Sequence, residues 1–88
     1  MNGAKIYEQA RAAYAHGNPQ EALLLFQRAA AAGHTHALCW MARIYFRGGG
    51  IQQNCRMAEL LLQQAAAAGD PAARRLLRYM SWKRRQKR

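Results

Sequence analysis

Apolar residues recur at spacings of three and four in five separate stretches of this chain. Tyr7, Ala10 and Tyr14 form the first stripe, and Leu24, Leu25 and Ala29 the second. Met41, Ile44 and Tyr45 form the third, and Leu61, Leu62 and Ala65 the fourth. Leu76, Leu77 and Met80 form the fifth. That spacing is the signature of amphipathic helices. The punctuation between stripes is also helical. Asn18–Pro19–Gln20–Glu21 predicts an N-cap, a proline at the first helical position and a glutamate closing a capping box. Asp70–Pro71 predicts a second N-cap followed by proline. Gly17, Gly33 and Gly69 stand where a left-handed residue ends a helix. Gly48–Gly49–Gly50 opens a loop running to about Asn54, since each glycine in a helix costs about 1 kcal/mol relative to alanine. Helices are predicted over about 4–16, 19–32, 35–47, 55–68 and 71–85. The turns are short apart from the triple-glycine loop, so neighbouring helices run antiparallel.

The pattern repeats. Ala22–Leu23–Leu24–Leu25–Phe26–Gln27–Arg28 leads into four alanines and Gly33. Ala58–Glu59–Leu60–Leu61–Leu62–Gln63–Gln64 leads into four alanines and Gly69. The two glycines stand 36 residues apart, as do Ala37 and Ala73. A period of this length marks stacked helical hairpins. The alanine runs are expected to let neighbouring backbones approach closely.

The stretch Gly33–His34–Thr35–His36–Ala37, followed by Met41–Ala42, Tyr45, Gly48–x–Gly50–Ile51, Gln53 and Ala58, resembles the Sel-1-like repeat of the tetratricopeptide-like α/α solenoids. Met41–Ala42 replaces the leucine–glycine pair of that pattern, and Asn54 stands where an aspartate is common. The first hairpin lacks the long loop and is more similar to an ordinary tetratricopeptide hairpin. The resemblance covers about residues 4–80 and is strongest over 21–69. It implies an all-α, short, right-handed solenoid of five antiparallel helices: two hairpins and a C-terminal capping helix. It also implies a non-enzymatic scaffold or adaptor for protein partners. The expected organisation is a single domain over 1–82 and a basic tail over 83–88.

Composition narrows the class. The chain has 88 residues, too few for barrel or two-domain dinucleotide enzymes of roughly 200 or more. Alanine and leucine dominate and valine is absent, which favours helices over sheets. No stretch approaches the ~20 apolar residues of a membrane span. Met1–Lys5 carries no apolar signal-peptide core, and the two cysteines make no disulfide framework, so a reducing cytoplasm is expected.

Charge adds a partner class. Fourteen Lys and Arg oppose four acids, for a net charge of +10. No acid follows Asp70, whereas Arg74, Arg75, Arg78, Lys83, Arg84, Arg85, Lys87 and Arg88 crowd the last helix and tail. An excess of this kind suits an acidic protein face, nucleic acid or an anionic membrane surface. Tyr79 and Trp82 interleave with these charges and offer rings for stacking on unpaired bases.

Catalytic chemistry has little to build on. There are no paired carboxylates, no nucleophile–histidine–acid set and no Lys–Ser/Thr after the glycines. His34, His36 and Cys39 form H-x-H-x-x-C, with His16 and Cys55 elsewhere. The expected role of these residues is structural, with no metal and no cofactor, because free cysteine usually serves as a small buried hydrophobe. His36, Trp40, Arg43 and Arg47 are spaced by four, three and four, which puts them on one helix face. The resemblance implies that this face lines the concave side of the solenoid. These four are therefore the expected partner-binding residues, with Trp40 serving either contact or packing. Trp40→Ala or Arg43→Glu is expected to abolish partner capture without unfolding. The expected function is a protein-interaction adaptor for an acidic partner. The alternative is a nucleic-acid-binding protein acting through its basic end. Pairing of two copies through the first or last helix stays open.

Overall fold

The computed structural model describes residues 2–86. Five helices follow one another: α1 (Gly3–Ala15), α2 (Pro19–Ala31), α3 (Ala37–Arg47), α4 (Cys55–Ala67) and α5 (Pro71–Gln86). Their order matches the predicted helices and their bounds agree to within one residue, except at the start of α3. α3 begins at Ala37, and residues 34–36 form a turn with i→i+3 bonds such as Ala37 N–H to His34 C=O at 3.1 Å. α5 runs through Lys83, Arg84 and Arg85 to Gln86, so these cations are helical. Lys87 and Arg88 lie outside the described residues.

Local signals account for the ends. Asn2 Oδ1 accepts the Lys5 amide at 2.8 Å, and Asn54 Oδ1 accepts the Met57 amide at 3.0 Å. Asp70 Oδ1 accepts the Ala72 amide at 2.9 Å. Asn18 departs from expectation: its side chain makes no capping bond, so the predicted capping box with Glu21 does not form. Its backbone is already committed, since Asn18 N–H closes α1 on Ala13 C=O at 3.0 Å and Pro19 starts α2. The 36-residue repeat shows in the closures of α2 and α4. Gly33 and Gly69 sit at φ 100° and 98°. Just beyond them, His34 N–H reaches Ala29 C=O at 2.9 Å and Asp70 N–H reaches Ala65 C=O at 3.0 Å.

Packing follows the chain. α1 rests on α2, α2 on α3, α3 on α4 and α4 on α5, with α3 also touching α5. That nearest-neighbour order is the α/α solenoid arrangement. One apolar cluster runs through all five helices. Phe26, Leu62 and Cys39 are its largest fully buried side chains. The rest is largely alanine, with Ala10, Ala22, Ala29, Ala37, Ala42, Ala58, Ala65 and Ala73 all at 0% exposure. Within each four-alanine run only the first member, Ala29 or Ala65, is buried, and the last two are exposed. Close approach is therefore a property of alanines spread along every helix, more than of the runs.

The loop between α3 and α4 folds back on both hairpins. Asn54 N–H bonds Tyr45 C=O at 2.9 Å, and Gln53 Nε2 donates to Phe46 C=O at 2.7 Å. Gln20 Nε2 donates to Gly50 C=O at 3.2 Å. Gly50 sits at φ 102°, and a Cβ there would fall 2.7 Å from Pro19 Cγ. Gly50→Ala therefore meets both a left-handed backbone and a stiff ring, and we expect it to cost about 2 kcal/mol. For a domain of this size that lowers Tm by roughly 8–16 °C. Gly49→Ala, with nothing within 4 Å of its Cβ position, should leave Tm within a few degrees. Thermal circular dichroism of the pair checks both.

Candidate functional site

A groove of about 480 Å³ lies between α1, α3 and α5. α1 contributes Tyr14 and α3 contributes Trp40, Arg43, Phe46 and Arg47. α5 contributes Leu76, Tyr79 and Met80. The lining is thus aromatic and aliphatic with two guanidinium groups and no carboxylate.

The helix spacing of four, three and four does bring Trp40, Arg43 and Arg47 to one face. Trp40 stacks on Phe26 with centroids 5.5 Å apart and planes 10° apart. Its Nε1–H donates to Tyr7 Oη at 2.7 Å, and Tyr14 meets it edge-on at 5.8 Å. It is therefore a packing residue whose ring also borders the groove. Arg43 lies over that ring, with its guanidinium carbon 5.1 Å from the centroid. Arg47 Nη1 donates to Tyr14 Oη at 3.1 Å. Both guanidinium groups are held against aromatic side chains, and among the described residues neither forms an ion pair. Cations fixed in this way bind an anion without further ordering of their long side chains.

His36 does not join them. The turn at 34–36 sets it at the N-terminal end of α3, where Nδ1–H donates to Asp70 Oδ2 at 2.7 Å. The same oxygen accepts from Cys39 Sγ at 3.4 Å. Burial opposes ionisation of Asp70, but bonds from His36, the Ala72 amide and Cys39 outweigh it and hold the carboxyl below its usual range. Burial, then the bond to Asp70 and its charge, push the Cys39 thiol up to about 12. The donor atoms of His36, Cys39 and Asp70 lie within 4.8 Å of one another. A cation there would have to displace a thiol proton that this environment holds firmly. The cluster acts as a lock between the starts of α3 and α5. His34, the first residue of the H-x-H-x-x-C motif, lies apart from it and packs its ring on Tyr7 at 4.2 Å. His16 bonds Ala12 C=O at 2.7 Å, and Cys55 borders a separate cleft with Lys83 and Arg84.

The basic residues of α5 divide by face. Arg84 pairs with Glu59 of α4 at 3.1 Å. Arg75, Arg78 and Arg85 gather with Tyr79 and Trp82 around a shallow depression on the outer side. Arg74 is exposed. Sequence reasoning left Tyr79, Phe46 and Tyr14 out of the groove. The repeat offset carries a signal for one of them, since Tyr79 follows Arg43 by 36 residues and so takes the equivalent helix position.

The Sel1 repeat family matches the chain at residues 9–34 and 35–70, more than half its length. The chain belongs to the Sel1-repeat family. Repeat units of this family are non-catalytic and generally mediate protein–protein interaction. The first match takes in most of the α1–α2 hairpin, so the family pattern extends to it in spite of its short turn. α5 lies beyond both matched units of this Sel1-repeat protein except for the turn at Asp70. No curated protein and no solved structure matches the chain. Among the described residues, no helix of the Sel1-repeat protein is long and apolar enough to cross a membrane.

Proposed function

We propose that this Sel1-repeat protein is a non-enzymatic adaptor whose groove between α1, α3 and α5 takes an extended acidic segment of a protein partner. The observation that carries this reading is the pair Arg43, held over the Trp40 ring, and Arg47, held by the Tyr14 hydroxyl, in a groove with no carboxylate. Acidic side chains of the partner meet the two guanidinium groups, which suit carboxylates bidentately. Its apolar side chains fill the space among Phe46, Leu76, Tyr79 and Met80. The remaining positive charge of α5 speeds encounter with an acidic partner more than it tightens the complex. The free thiols Cys39 and Cys55 suit a reducing compartment, and the cytoplasm is our reading of where the adaptor works.

Selection from a random 12-residue peptide display library tests this. Recovered binders should be enriched in Asp and Glu beside large apolar residues. The double variant Arg43→Glu, Arg47→Glu should weaken them at least tenfold, about 1.4 kcal/mol. Both side chains are exposed, so the helical circular dichroism at 25 °C should persist. Neutral or basic binders, or binders indifferent to the double variant, would remove the groove from this reading.

A further inference from the structure

The outer face of α5 carries a second basic and aromatic surface, separate from the arginines of the groove and sharing only Tyr79 with its lining. Arg75, Arg78, Tyr79, Trp82 and Arg85 surround a shallow depression of about 380 Å³. Tyr79 is 52% exposed and Trp82 is 50% exposed. Among the described residues, neither ring packs on another aromatic side chain. This differs from Trp40, whose faces and N–H are all engaged.

The repeat register shows how unusual this face is. Arg75 and Arg78 follow Cys39 and Ala42 by 36 residues. In α3 those two positions are 1% and 0% exposed. In α5 the equivalent positions are open and cationic. Ending a solenoid requires only a polar outer face. Two half-exposed rings set among three arginines exceed that requirement. No carboxylate lies on α5, and Glu59 is already engaged by Arg84.

We propose that this face of α5 binds single-stranded nucleic acid, with Tyr79 and Trp82 stacking on bases and Arg75, Arg78 and Arg85 meeting phosphates. Tyr79 and Trp82 are offset by about 4.5 Å along the helix, and Arg75 to Arg85 spans about 15 Å. That length serves a few successive nucleotides of an extended strand. Stacking on aromatic rings tolerates any base, and a duplex hides the base faces that the rings need. A membrane surface fits less well. Met80 is buried and Leu76 and Leu77 pack into the core, which leaves too little apolar surface to insert.

Fluorescence anisotropy of the full chain with labelled 12-nucleotide oligo-dT and oligo-U tests the proposal, with a 12-base-pair duplex alongside at 50 and 200 mM salt. The strands should bind at 50 mM, more tightly than the duplex. Their affinity should fall with a log–log salt slope of about −0.7 for each phosphate met. Trp82→Ala should weaken the strands by about 5- to 100-fold with the slope unchanged, and Trp82→Phe should restore most of the loss. Arg75→Glu with Arg78→Glu should weaken binding and flatten the slope. Arg28→Glu with Arg56→Glu, an equal charge change on α2 and α4, should do neither. Absence of strand binding at 50 mM would overturn the proposal. Equal duplex binding that ignores Trp82→Ala would also do so, as would a matching loss in the Arg28/Arg56 variant. Retained strand binding to Trp82→Ala with loss of anionic-vesicle or polyglutamate binding would reassign the face and equally sink it.

Discussion

Trp40→Ala should destabilise the whole protein and not merely blunt its groove. The indole joins three helices: it stacks on Phe26 of α2, donates to Tyr7 of α1 and meets Tyr14 edge-on. Truncating a buried Trp to alanine costs about 3–5 kcal/mol. This ring is partly exposed, so we expect about 3 kcal/mol, which lowers Tm by roughly 12–24 °C in a domain of this size. A small domain holds only about 5–15 kcal/mol in total, so the loss is a large fraction of what keeps it folded. The expectation that this substitution would report on binding alone does not survive the packing. Trp40→Phe separates the two roles. It keeps a ring against Phe26 and loses the bond to Tyr7, for about 1 kcal/mol. Thermal and urea denaturation of the two variants gives the comparison, and equal Tm values for Trp40→Ala and wild type would contradict it.

Asp70→Ala should be the other large loss, and it carries a pH signature. One carboxylate caps α5 through Oδ1 and receives His36 and Cys39 through Oδ2. Loss of a cap costs about 0.5–2 kcal/mol and loss of a charged hydrogen bond about 1.5–3. The combined expectation is about 2–4 kcal/mol, since the terms share one group and do not simply add. The folded carboxyl titrates below its unfolded value, which is about 3.9. Its ionised form therefore favours folding. That contribution is complete above about pH 4 and fades as pH falls through the depressed folded value. Asp70→Asn keeps much of the cap but removes this titration. Between pH 2 and 5, stability of the wild type should fall more steeply than that of Asp70→Asn. Parallel curves would show that Asp70 carries no such linkage.

Much of the fold was legible because the chain marks its helices with prolines and glycines at the ends and repeats its stripes at a fixed offset. What escaped was long-range. His36 was grouped with Trp40 by helical spacing, but that spacing applies only inside a helix, and α3 starts one residue later. Asp70 was seen as a cap for its own helix; nothing local shows that its second oxygen faces His36 and Cys39. Asn18 carried a good capping signal that a one-glycine turn leaves no room to use. Trp40, Arg43 and Arg47 do share a face, because α3 is regular over their span. The α5 wall of the groove is not legible in the sequence, because the apolar stripe of Leu76, Leu77 and Met80 does not say which of its members lies at an edge.

The loop that lays Gly50 on Pro19 has a consequence for how the protein comes apart. Hairpin arrays are stacks of weakly autonomous units, and such stacks can fray one unit at a time. Here a segment belonging to the second hairpin is latched to the turn that begins α2 in the first. Amide protons of α2 and α4 should therefore exchange with solvent in a shared opening event, so that the two hairpins melt as a single cooperative block.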